Sequence, residues 1–188
     1  MNQNSSLLQS LLELQHLDRV PRMGFVLRGV ADPESVAEHL WHVAMLVWTL
    51  GRGVEGLHLG RALAMALVHD VGEVRLGDLP MTTSKYFEPG AKAAAETKAV
   101  VELMQPFGDQ PQQLLAELQA RETPEARLVK DCDKLQLMLK VAHYERHGAR
   151  GLEEFWLHER NFPSDEFPPV AELFAELREW RDSVASSQ

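Results

Sequence analysis

Two imidazoles and as many as two carboxylates in this chain stand where they could share one metal ion. The sharpest pair is His69-Asp70, at the end of the apolar run Ala62-Leu63-Ala64-Met65-Ala66-Leu67-Val68. Adjacent helical residues are about 100° apart, so both side chains can converge on one point at a helix edge. A neutral imidazole and a carboxylate are good ligands for a borderline divalent ion. His39 lies one predicted helix upstream, in Glu34-Ser35-Val36-Ala37-Glu38-His39, and Asp131 and Asp133 lie on a later one. Two imidazoles and two carboxylates from three helices make a helix-bundle metal site. Asp131 and Asp133 stand roughly 200° apart on a helix and cannot both face it. Periodicity does not choose between them. On its own, His-Asp is read as a core histidine beside a capping aspartate in preference to a metal site. The joint set carries the metal reading.

The elements that must position these residues are helical. Leu7, Leu8, Leu11, Leu12 and Leu14 recur at helical spacing after a Ser/Asn-rich start. Arg19 to Asp32 holds Pro21, Gly24 and Gly29 and reads as an irregular connector with a short extended piece at Phe25-Val26-Leu27. Ser35, with Glu38 three residues on, has capping-box spacing and starts a helix that runs to about Leu50 and stops at Gly51 and Gly53. A second helix is predicted from about Leu59 to Val71, followed by a loop over 74–90. Ala91 to Met104, Pro111 to Ala120 and Pro124 to Arg146 each read as helix, with shorter ones at Leu152 to Glu159 and Pro169 to Asp182. There is no internal repeat and no strong β-alternation. The prediction is an all-α, compact, single-domain bundle spanning 1–188.

Composition agrees and excludes several classes. The chain has 188 residues, 45% hydrophobic and 25% charged, which is globular rather than disordered. Its 28 acidic and 19 basic side chains give a net charge of −9. A nucleic-acid polymer binder would carry a basic field, so the expectation is no such partner. A small anionic substrate stays open, because a metal can override net charge locally. The lone Cys132 excludes an intramolecular disulfide framework and points to a reducing compartment. The longest apolar run, near Val43 to Leu50, is too short to span a bilayer, which takes about 20 residues. No membrane partner and a cytoplasmic location are expected.

Taken in order, Arg19, Pro21-Arg22-Met23-Gly24-Phe25, Arg28, Pro33-Glu34-Ser35-Val36-Ala37-Glu38-His39, His69-Asp70-Val71-Gly72-Glu73, Gly77-Asp78, Lys85-Tyr86 and Asp133-Lys134 form a pattern. It resembles the HD-domain phosphohydrolases, and within them the 5′-deoxynucleotidase branch, over about residues 10–145. The resemblance implies His39, His69, Asp70 and Asp133 as metal ligands, preferring Asp133 to Asp131. It implies Glu73 as the catalytic carboxylate and Asp78 as a residue of the substrate site or behind the ligands. It places Arg19 at the phosphate. At the next position, where bacterial relatives carry Trp against the sugar, this chain has Val20, and Phe25 is the aromatic that would take over. Val20 thus leaves the preference for deoxyribose over ribose open. Two-metal relatives need further histidines between the second and last ligands. None stands between Asp70 and Asp133, so one divalent ion is expected, of Mn, Co, Fe, Ni or Zn.

These residues suit phosphomonoester hydrolysis. One divalent ion can acidify a bound water and polarise a phosphoryl oxygen. Glu73, one turn after Asp70, could accept the water's proton. Arg19, Arg22, Arg28, Arg75 and Lys85 are candidate phosphate clamps, with Arg19 preferred. The Thr82-Thr83-Ser84 hydroxyls could join them. His42 shares the face of His39 but reads as locally packed, and His16, His58, His143, His147 and His158 as surface or core. Trp41, Trp48, Trp156 and Trp180 are expected in the core, with the seven-residue spacing of Trp41 and Trp48 also fitting an interface. The favoured function is a metal-dependent phosphomonoesterase of (deoxy)nucleoside 5′-monophosphates, working as a homodimer. The rivals are an HD hydrolase of another nucleotide or small phosphate ester, a silent nucleotide- or metal-binding module, and a purely structural helical protein. In the last case the four ligands would lie apart.

Overall fold

The computed structural model describes residues 3–163 and 166–185, with the side chains of residues 3–5, 84 and 185 outside the described set. Helices dominate: α1 (Gln3–Leu14), α2 (Met23–Val26), α3 (Val36–Gly51), α4 (Leu59–Val68), α5 (Glu73–Leu76), α6 (Ala91–Met104), α7 (Gln110–Ala120), α8 (Pro124–Arg146), α9 (Glu153–Leu157) and α10 (Pro168–Ala185). Short 3-10 turns span Gln15–Arg19, Met81–Tyr86, Gln105–Phe107 and Glu159–Asn161. Among the described residues the only β-pairing is an isolated antiparallel bridge between Pro21 and Ser35. No described helix is long and apolar enough to cross a membrane.

α3 begins where its cap dictates. Ser35 is extended (φ −79°, ψ 163°), the Glu38 amide donates to Ser35 Oγ, and the Ser35 amide donates to the Glu38 side chain at 2.7 Å. Both partners of the capping box therefore satisfy an otherwise orphan donor. The bridge to Pro21 sits at this cap: Val36 N–H donates to Val20 O (2.8 Å) and Arg22 N–H to Glu34 O (2.9 Å). The start of α3 and the connector before α2 are thus one hydrogen-bonded unit.

The core forms where α3, α4 and α8 meet, with α7 and α10 closing it. Val43, Val47, Met65, Ala66, Leu128, Leu135 and Met138 are fully buried there. A fully buried aliphatic side chain contributes about 1.5–3 kcal/mol relative to exposure. α8 buries residues on nearly every side, from Glu125 to Ala142, which marks it as the central helix. Gly51 lets α3 approach α8: a Cβ there would meet side chains of Leu57, Leu59 and Leu128 at 3.0–3.1 Å. A smaller core of Leu17, Val36, Leu40, Val71, Val100, Leu103, Met104 and Leu115 joins α1's end, α3 and α6.

Several expectations change. Phe25-Val26-Leu27 is not extended: Phe25 and Val26 belong to α2 and Leu27 caps it, because the connector closes a short helical turn on Arg22. The 74–90 loop carries α5 and a 3-10 turn. α4 stops at Val68, so His69 is its cap rather than an interior residue. Trp156 is buried and Trp180 packs against the core, but Trp41 and Trp48 are 58% and 46% exposed on the outer face of α3. Their spacing places them opposite Val43 and Val47, which take the inward face.

Candidate metal centre

The ligands come from three helix ends or interiors. His39 lies in the first turn of α3, just after its cap. His69 caps α4 and Asp70 follows it, where the chain leaves the helix. Asp133 sits midway along α8. His39 is wholly buried, and His69 and Asp133 are buried too. His39 Nε2 is 3.3 Å from His69 Nε2, 3.5 Å from Asp70 Oδ2 and 3.3 Å from Asp133 Oδ1. His69 Nε2 is 3.3 Å from Asp70 Oδ2. His39, His69 and Asp70 form a group in which all the ligand atoms lie within 4.8 Å of one another. Asp133 adjoins that group through His39. The residues of the structural-protein rival would lie apart; these do not.

The donor chemistry fits a divalent ion. His69 Nδ1 lies 2.8 Å from the Ala66 carbonyl, and His39 Nδ1 lies 2.6 Å from Gln136 Oε1. Oxygen acceptors at both Nδ1 atoms keep the protons there, so both Nε2 lone pairs point into the centre. Two lone pairs and two carboxylates that face one another repel unless a cation lies between them. Ligands that share an ion at about 2.0–2.2 Å stand about 3.0–3.4 Å apart, close to the spacings seen here.

The same field sets the ionisation of the group. Burial opposes the charge on Asp70, but His69, His39 and Arg22 outweigh it and hold the carboxyl well below its usual range. Asp133 is also held low, with Lys134, His39 and Lys130 outweighing burial. His69 moves up because Asp70 and Asp133 outweigh its burial; His39 moves down through burial and Arg22. Glu73 behaves in the opposite way. It is buried in the first turn of α5, and Oε2 has no hydrogen-bond partner among the described residues. Burial first, then Asp70 and Asp78, push its pKa up to about 10. A positive charge at the centre would draw that proton off and leave a base beside it.

Arg22 and Asp78 close this side. Arg22 Nη1 is 2.9 Å from Asp78 Oδ1 and 3.6 Å from Asp70 Oδ2. Asp78 Oδ2 also accepts from the Met23 amide at 2.6 Å, the first N–H of α2. Gly77, at φ 72°, makes the turn that swings Asp78 back to meet them. Burial disfavours the Arg22 cation, but Asp78, Asp70, Asp133 and Glu73 outweigh it and hold its pKa above the ordinary value.

The centre opens into a cleft of about 1080 Å³. Of the expected substrate residues, Phe25 and Lys85 line it, Phe25 as a buried core ring with Phe155 and Tyr144 about 5 Å away and Lys85 as an exposed cation over Tyr86. Arg19 does not line it. Arg19 ends a 3-10 turn on the exposed side, and the Pro21–Ser35 bridge carries Arg22, three residues on, to the centre instead. Val20 is likewise spent on the bridge and packs on the smaller core. Arg75 pairs with Glu13 and Glu102, and Arg28 with Glu154 at the rim. Thr82 lines the cleft, the Thr83 hydroxyl donates to Pro80 O, and the Ser84 side chain lies outside the described residues. His42 approaches Glu34 at 3.9 Å and stands apart from the three-residue group. Sequence reading gave no role to Gln136, which stands behind His39, or to Lys130 on the cleft wall; Lys134, quoted beside Asp133, lies on the same wall, and His158, expected as surface or core, lines the rim. A signal was available: Lys130, Lys134 and Gln136 lie three before, one after and three after Asp133, on neighbouring faces of α8.

The HD-domain family matches residues 14–167. The chain belongs to the HD-domain family. Its relatives include the 5′-deoxynucleotidase HDDC2 of Xenopus laevis, 31% identical over 186 residues, which cover 95% of this chain and 89% of that protein. The 5′-deoxynucleotidase hdd1 of Schizosaccharomyces pombe is 30% identical over 152 residues, covering 76% and 75%. Among solved structures, a conserved hypothetical protein from Pyrococcus furiosus superposes with a TM-score of 0.79 at 34% identity, covering 92% of this chain and 99% of that one. The HD-domain bundle is therefore shared along nearly the whole chain, and the His69-Asp70 pair gives it the His-Asp signature at α4's end.

Proposed function

We propose that this HD-domain protein is a metal-dependent phosphohydrolase that converts (deoxy)nucleoside 5′-monophosphates to nucleoside and phosphate. The observation that carries the reading is the meeting of His39, His69, Asp70 and Asp133 beside an orphaned, buried Glu73. The 5′-deoxynucleotidases among its relatives, aligned over most of the chain, support the substrate class. His39, His69, Asp70 and Asp133 would hold one divalent ion, of Mn, Co, Fe, Ni or Zn. Such an ion supplies an acidified water and neutralises a phosphoryl oxygen. Glu73, buried beside the ligands with Oε2 unpartnered among the described residues, would hold such a water and accept its proton. Asp78 holds Arg22 and the start of α2 in place, and Arg22 supplies the fixed positive charge at the phosphate that Arg19 was expected to give. Lys85 and Lys130 face the cleft as further cations, and Phe25 supports the wall on which a nucleoside would rest.

The cleft partner is thus a small nucleotide rather than a nucleic-acid polymer or a membrane, in keeping with the −9 charge. A single buried thiol fits a cytoplasmic location. The whole of 1–188 is proposed as one HD domain. Exposed Trp41, Met45 and Trp48 on one face of α3 support a homodimer; sedimentation at monomer mass at working concentration counts against it.

The deciding assay is phosphate release from matched deoxy- and ribonucleoside monophosphates, with chelated protein, with Mn²⁺- or Co²⁺-reloaded protein, and with Asp70→Ala. Metal-dependent release that Asp70→Ala abolishes is the expected result. Metal bound but no release from any monophosphate would overturn the substrate class.

A further inference from the structure

The two histidines of the centre are held by different means. His69 is fixed by a backbone carbonyl, Ala66 O, three residues back in its own helix. No side-chain substitution removes that acceptor. His39 depends instead on side chains far away in sequence. Its Nδ1 meets Gln136 Oε1 at 2.6 Å, and Gln136 Nε2 donates to Glu34 Oε2 at 2.8 Å. Lys140 Nζ lies 3.2 Å from the same Glu34 oxygen, and the Glu34 amide donates to the Tyr144 hydroxyl at 2.7 Å. His39, Gln136 and Glu34 are 0%, 3% and 4% exposed, so water does not compete for these contacts.

The order of donors along this chain follows from what each group can do. A carboxylate only accepts, so Glu34 takes the Gln136 amide N–H. That turns the Gln136 carbonyl toward His39. A carbonyl also only accepts, so His39 Nδ1 must carry the proton. Nε2 is then left with its lone pair, 3.3 Å from His69 Nε2 and from Asp133 Oδ1. Reversing the amide would set oxygen against oxygen at Glu34, so the Gln136 orientation is fixed from that side.

Resting on the metal-centre reading above, we propose that Gln136 and Glu34 are positioning residues which lock His39 as the Nδ1–H tautomer and aim its Nε2 lone pair at the metal. Glu34 and His39 stand in the same stretch, on either side of the Ser35 cap. The capping box that starts α3 therefore also sets the distance between a ligand and the carboxylate that orients it through α8.

The test uses the full chain and three variants: Gln136→Leu, Glu34→Gln, and the charge-conserving swap Glu34→Gln/Gln136→Glu. In the swap the amide at 34 donates to the carboxylate at 136, which again accepts from His39 Nδ1. Two readouts are taken. Long-range ¹H–¹⁵N spectra of the metal-free protein report the His39 tautomer, assigned with His39→Ala. Chelator competition reports Co²⁺ affinity. In the parent chain His39 is a single Nδ1–H tautomer. Gln136→Leu gives mixed tautomers and a loss of about 10–100-fold in Co²⁺ affinity, the usual effect of removing an outer partner. Glu34→Gln, nearly isosteric, gives mixed tautomers and a smaller loss, and the swap restores both readouts. A merely structural role would leave the tautomer unmoved. An unchanged His39 spectrum and unchanged Co²⁺ affinity in both single variants overturns the proposal. Undiminished Co²⁺ binding by His39→Ala overturns the metal-centre reading instead, while the tautomer spectra still judge the Gln136–Glu34 chain.

Discussion

Asp131 and Asp133 stand two residues apart on α8, both buried, and are driven in opposite directions. Burial alone would raise both carboxyls. At Asp133, Lys134, His39 and Lys130 outweigh burial and hold the group well below the usual carboxylate range. At Asp131 burial prevails, the Glu166 carboxylate adds to it, and the group is pushed up to about 6. Arg121 and Arg127 oppose that rise without cancelling it, and Arg127 is itself paired with Glu166. One side of α8 is thus a cleft wall where cations and imidazoles stabilise a carboxylate. The other packs toward the start of α10, where a carboxylate is a burden. Burial does not make a buried acid functional; the groups that share its pocket do.

Exchange of each acid for its amide gives the largest contrast. Asp133→Asn removes a ligand charge, and phosphate release should fall by about 10³-fold or more, beyond the 10–100-fold typical of an outer partner. Asp131→Asn should leave release within about twofold. Equal losses in steady-state assays on both variants would erase the distinction between the two faces.

A second test sharpens the cleft side. Lys134 Nζ is 3.5 Å from Asp133 Oδ2, whereas Lys130, one turn back, lines the cleft with no carboxylate within ion-pair distance among the described residues. Its charge still bears on His69 and Asp133. Lys130→Met should cost about tenfold in kcat/KM, equivalent to one charge-assisted hydrogen bond to phosphate. Most of that loss should appear in KM. A variant with unaltered KM would mean that Lys130 serves the ligand field alone.

The smallest effect belongs to the far side. A carboxyl whose folded pKa is raised binds its proton more tightly in the folded state. Stability contributed by Asp131 is therefore full below about pH 4 and lost as pH rises to about 6. At pH 7 the charged group should cost about 1 kcal/mol after allowance for solvent screening. Asp131→Asn should raise Tm by about 2–4 °C at pH 7 and change it little at pH 4. A gain of equal size at both pH values would assign the effect to packing rather than to charge.

Much of this arrangement was legible in the residues. The capping box at Ser35 and Glu38 placed the start of α3, and with it the height of His39. The apolar run before His69-Asp70 placed both at a helix end. Arg19 was expected at the phosphate, yet Arg22 is the arginine that reaches the centre, for a reason local pattern does not contain: the Pro21–Ser35 bridge joins segments fourteen residues apart beside it. Trp41 and Trp48 share a seven-residue spacing with any core stripe. Only the position of α8 against α3 shows that Val43 and Val47 hold the inward face and the tryptophans the outer one.

The sequence by itself determined the helices, their caps, the His-Asp pair and the family to which the chain belongs, because these rest on neighbours within one or two helical turns. The choice of Asp133's partners, the orphaned burial of Glu73, the clamp of Asp78 on Arg22 and the tautomer of His39 were decided by tertiary structure alone. The Arg22–Asp78, His39–Gln136 and Gln136–Glu34 contacts join side chains 56, 97 and 102 residues apart in the chain, in a largely buried place where the strength and sign of every charge are set by the groups that share the pocket.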